Sequence, residues 1–92
     1  FFYFKIFSYI LNMTLEEIID SYGDEDLLKA DGFDEAVIGI EINTSRLVYD
    51  IFKMRELLIK NDGMSSDDAM EYLDFNVLGA YMGEKTPIYV QI

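Results

Sequence analysis

The sequence predicts a two-layer α+β domain of order (α)ββααβ, a small three-stranded, mostly antiparallel sheet with two helices on one face. Three observations carry this. Two short runs of alternating apolar residues flank a turn at Asn43-Thr44-Ser45. Two capped segments of 3.6-residue periodicity come next, from Asp50 and from Ser65. The chain then leaves a glycine-rich loop at Pro87 and resumes alternation through Ile88, Tyr89 and Val90. With 92 residues, half of them hydrophobic, the chain suffices for one domain with one core.

Residues 1–12 are aromatic and apolar, unlike the rest of the chain. They are too short and too interrupted by Lys5 to span a bilayer as a helix, and they lack a basic leader and small-residue cleavage site. The expectation is an extraneous leader, with residues 13–92 forming the domain. An extra strand or helix packed on the domain ranks next, and a membrane anchor last.

Thr14 and Glu17 form a capping box that opens a short helix through about Asp20 or Ser21, with Leu15, Ile18 and Ile19 as its apolar stripe and Gly23 as its stop. Residues 24–29 suggest another helical turn, and Asp31-Gly32 a reversal. In the strand 36–42, alternation puts Ala36, Ile38, Ile40 and Ile42 on one face. Arg46–Tyr49 returns as its hairpin partner. Asp50 caps a helix that ends before Gly63, with Ile51, Met54, Leu57 and Leu58 facing inward. Ser65 caps the last helix, whose inward face is Ala69, Leu73, Asn76, Val77 and Ala80, and Gly83 fits its C-terminal cap. In the last strand Ile88, Val90 and Ile92 point one way, Tyr89 and Gln91 the other.

Composition excludes several function classes. Without cysteine or histidine there is no disulfide framework, no thiolate metal site, and none of the commonest general base. Eighteen acids against seven bases give −11, which disfavours direct contact with nucleic acid or anionic membrane. Residues 46–60 hold four bases and two acids, a net of +2, which leaves −13 for the rest. Gly79-Ala80-Tyr81-Met82-Gly83-Glu84-Lys85-Thr86 imitates a phosphate-binding loop, yet Glu84 stands where that loop needs glycine, and the segment leaves a helix rather than a strand. The acids from Asp20 to Glu35 fail the calcium-loop register in either frame. No cofactor is expected.

Two features remain as candidate sites. Asp67, Glu71 and Asp74 share one helical face, and a solvated ridge of this kind suits a basic partner better than acid–base catalysis. Asn76 interrupts an apolar face and is expected to be a structural polar residue that bonds the neighbouring loop or strand.

The combination of Asp31-Gly32-Phe33-Asp34-Glu35-Ala36-Val37-Ile38-Gly39, Leu47-Val48-Tyr49-Asp50, Asp62-Gly63-Met64-Ser65 and the segment from Phe75 to Pro87 resembles a group of small acidic proteins encoded by tailed bacteriophages and environmental viral contigs. The resemblance covers residues 13–91. It implies a setting, the cytoplasm of an infected bacterial host, and no catalytic residues, since that group carries no established activity. The expectation is an accessory protein, not an enzyme, that binds a host or viral protein through Asp67, Glu71 and Asp74. Two alternatives are a phosphate-backbone mimic that blocks a nucleic-acid-binding protein and a small carboxylate-based enzyme. Self-association is a further route, with the +2 segment of one copy meeting the acidic region of another.

Overall fold

The computed structural model describes residues 9–23 and 27–91. The chain is an α+β domain in which a four-stranded sheet of order β1-β2-β3-β4 packs against three α-helices. β1 (Tyr9–Leu11) is followed by α1 (Leu15–Tyr22), a 3₁₀ turn (Asp34–Ala36), β2 (Val37–Glu41) and β3 (Arg46–Asp50). α2 (Ile51–Asp62), α3 (Ser66–Leu73), a π-helical turn (Asp74–Leu78) and β4 (Ile88–Val90) complete it. The β1–β2 and β2–β3 pairs are antiparallel, and β4 returns parallel to β3. The expected segment of helix within residues 24–29 falls partly outside the described residues, and residues 27–29 take no regular form.

Local signals set the helix starts. The Thr14 hydroxyl accepts from the Glu17 N–H (3.2 Å) while the Glu17 carboxylate accepts from the Thr14 N–H (2.9 Å), closing the capping box. The Asp50 carboxylate accepts from the Phe52 N–H at 2.9 Å and the Ser65 hydroxyl from the Asp68 N–H at 3.1 Å. α2 stops at Gly63, whose left-handed φ of +70° lets the Met64 N–H reach back to the Leu58 carbonyl.

The core lies between the sheet and the helices. Ile18 from α1, Met54 and Leu58 from α2, and Ala69 and Leu73 from α3 close on Val37, Ile40, Leu47 and Tyr49. Helix α2 presents the expected arc, with Met54 and Leu58 buried and Ile51 and Leu57 half-buried. Tyr49 is 0% exposed; its hydroxyl accepts from the Ala30 N–H at 2.8 Å, tying the irregular segment before the 3₁₀ turn to the sheet. Desolvation pushes its pKa up to about 12, a shift that the Ala30 hydrogen bond only partly opposes. The ring of Tyr89 on β4 lies 5.8 Å away and tilted by 41°.

Besides the limits of β2, where Ala36 falls in the 3₁₀ turn and Ile42 is an exposed turn residue, the structure departs from the sequence reading at four places. The sheet has four strands rather than three, because Tyr9–Leu11, inside the segment expected as a leader, pairs with β2. Residues 1–8 lie outside the described residues. In β2 a bulge between Val37 and Gly39 shifts the register, so that Val37 pairs with Tyr49 and Ile40 with Leu47. Strict alternation placed Val37 opposite Ile40; an extra residue breaks the two-residue period and puts both in the core. The last helix widens into a π turn at Asp74–Leu78 instead of running on to Gly83. Gly83 therefore caps no helix: at φ +101° it opens a tight turn, and its carbonyl accepts from the Thr86 N–H at 3.2 Å.

The fourth departure is Asn76, expected on an inward face and found exposed, its Nδ2–H donating to the Tyr72 carbonyl of its own helix at 3.1 Å. The π turn is the cause. Each residue of an i→i+5 turn advances by less than an α-helix's roughly 100°. The helical phase therefore lags, so Val77 and Leu78 become half-buried while Asn76 and Ala80 turn outward.

Candidate functional site

Helix α3 places its carboxylates in water. Asp67, Glu71 and Asp74 are all exposed, and so is Asp68 beside them. The acidic ridge of the sequence reading thus exists as a surface, but acids are only part of it. Phe75 is 80% exposed and Tyr81 78%, with Tyr72 and Met82 also open to solvent. Large apolar groups held this far out are the informative exception to ordinary burial.

Helical spacing brings these groups together. Asp68, Glu71 and Tyr72, Phe75 and Asn76 succeed one another at i, i+3/i+4 and i+7/i+8, and with Met64 they line an open hollow of about 440 Å³. A second hollow of about 270 Å³ shares Tyr72 and Asn76 and extends to Phe33, Met82 and Tyr89. The surface therefore runs without a break from the start of α3 to the loop before β4. No lysine or arginine occurs from Met64 to Gly83 and none lines the hollow on α3, so that hollow carries only negative formal charge; Lys29 lines the second one.

The loop that carries Tyr81 and Met82 is held by Thr86. Its hydroxyl donates to the Gly83 carbonyl (2.6 Å) and accepts from the Met82 N–H (2.8 Å), and its carbonyl accepts from the Arg46 Nε–H of β3 at 2.6 Å. Pro87 is buried directly before β4, at the position where a missing N–H costs the sheet least. We expect Thr86→Val to remove both side-chain bonds, cost about 1–2 kcal/mol, and speed amide exchange at Met82. Unchanged protection of that amide would show that the loop is held otherwise.

The sequence points to Asp67, Glu71 and Asp74 as a solvated row and to Tyr72, Tyr81 and Tyr89 as core aromatics able to line a pocket, but not to Phe75 or Met82 at the surface. One signal was available for Phe75. It lies four residues after Glu71, on the charged side of the stripe, where a core aromatic has no place. Among the described residues no group of three or more acids is placed to hold a metal ion, and no helix is long and apolar enough to cross a membrane.

Fold and surface together define a small α+β domain with an acidic, aromatic-studded face. No protein-family model matches the chain, and neither a curated protein nor a solved structure proves similar to it.

Proposed function

We propose that this protein is a binding module, not an enzyme, that docks a basic surface of another protein on α3 and the loop before β4. The observation that carries this is the exposure of Phe75 and Tyr81 inside a stretch free of cations. Interfaces draw affinity from a few aromatic anchors ringed by polar groups. Here Tyr72, Phe75, Tyr81 and Met82 supply anchors, and Asp67, Asp68, Glu71 and Asp74 supply the rim and the long-range attraction. In the viral setting that the sequence resemblance implies, the partner is a host or phage protein met in the bacterial cytoplasm. Direct nucleic-acid binding does not fit a net charge of −11.

The test is quantitative capture of partners from bacterial lysate by the protein and by a Phe75→Ser/Tyr81→Ser double variant, followed by reconstitution with the purified partner. We expect at least about tenfold weaker binding by the variant, in line with the loss of one hot-spot group, and moderate weakening of the native protein at high salt. A partner indifferent to both substitutions yet lost completely at high salt would replace this reading with the phosphate-mimic one.

A further inference from the structure

We infer that the hollow beside Tyr72 and Phe75 receives an arginine side chain of the docked partner. This rests on the docking reading above and names the chemistry of its central contact. The hollow is lined by Tyr72 and Phe75 together with the acids Asp68 and Glu71. An arginine offers an apolar stem for the rings, a planar cation that stacks on aromatic faces, and a fork of N–H donors matched to a carboxylate.

The remaining polar group fits the same occupant. Asn76 spends its Nδ2–H on the Tyr72 carbonyl (3.1 Å), which leaves its Oδ1 as an acceptor for a cationic donor. Other occupants fit worse. An anion meets no base anywhere from Met64 to Gly83. A purely apolar side chain would strip water from Asp68 and Glu71 without replacing it. A lysine supplies the charge but neither the planar stack nor the fork.

The experiment is an NMR titration of the ¹⁵N-labelled protein with acetylated, amidated arginine at fixed ionic strength, repeated with the corresponding lysine and citrulline compounds. Citrulline keeps the shape of arginine and removes its charge. We expect saturable shifts centred on Tyr72, Phe75 and Asn76 for arginine, at least threefold weaker binding of lysine, and none of citrulline. Glu71→Gln and Phe75→Leu should each weaken arginine binding three- to tenfold, with the remaining spectrum unchanged. Shifts that do not saturate, that spread over all the acids alike, or that citrulline reproduces would overturn the assignment. If arginine fails to bind while partner capture still depends on Phe75 and Tyr81, the docking surface stands and the arginine site falls. If arginine binds but no partner is captured, the docking reading falls, and with it the assignment to a partner's side chain.

Discussion

Replacing Gly39 by valine is expected to destabilise the domain by about 3 kcal/mol, the upper part of the overpacking range, lowering the midpoint by roughly 12–24 °C for a domain of this size. The cause is the approach of β1 to β2. A Cβ on Gly39 would overlap the Ile10 carbonyl oxygen, and it would stand 2.9 Å from Leu11 Cδ2 and 3.0 Å from Leu11 Cα. Two of these three contacts are backbone, so no rotamer change relieves them. β1 must lift away, which breaks its pairing of Leu11 with Gly39 and exposes Ile10 beside Ile40. A double-mutant cycle with deletion of residues 1–12 checks the attribution. The valine should cost much less once β1 is gone. An equal cost in both backgrounds would place the clash elsewhere, and a deletion without effect on stability would favour the reading of residues 1–12 as an extraneous leader.

The second large effect is alkaline. Tyr49 has a folded pKa raised to about 12 by desolvation, against about 10 in an unfolded chain. Its phenol is therefore protonated in both states below pH 10, and its contribution to stability is complete there. Between pH 10 and about 12 the unfolded chain releases this proton and the folded one does not, so stability falls as pH rises, by roughly 2–3 kcal/mol in all. Tyr89, also raised by burial, adds in the same direction. Tyr49→Phe removes the titration and, at neutral pH, leaves the Ala30 N–H without its partner, at a cost of about 1–3 kcal/mol. The two curves should then approach each other from pH 10 to 12. Parallel curves across that window would mean that the Tyr49 phenol ionises in the fold as freely as in water.

What could be read from the sequence was local. Thr14 with Glu17, Asp50 and Ser65 announce helix starts, because a cap is satisfied within four residues of itself. Gly63 announces a stop because it takes a left-handed φ at no steric cost. The features that escaped, or that ranked only second as an added strand within residues 1–12 did, depend on distant partners. β1 is three residues long and is defined by its fit over Gly39, which no periodicity within residues 1–12 reveals. The bulge at Ile38 inverts the face assignment of Val37 without changing composition. The π turn shifts the phase of the helix so that Val77 and Leu78 pack against the core, and α-helical periodicity does not announce it. At the surface, Asp67, Glu71 and Asp74 were legible because a row of acids has one ordinary address, water. Tyr81 was not, and Phe75 only through its place four residues after Glu71, since an aromatic side chain is by default assigned to the core.

The parallel return of β4 also has a kinetic meaning. β1, β2 and β3 meet as antiparallel neighbours, and the β2–β3 hairpin closes across only four residues. Arg46 and Thr86, which join β3 to the start of β4, lie 40 positions apart. Their contact must await both intervening helices and bears the larger loop-closure entropy. β4 is therefore expected to dock after the rest of the sheet and to detach before it, carrying Tyr81 and Met82 with it. The aromatic half of the proposed interface would then sit on the least committed part of the folding pathway, where a bound partner stabilises the finished sheet as well as the complex.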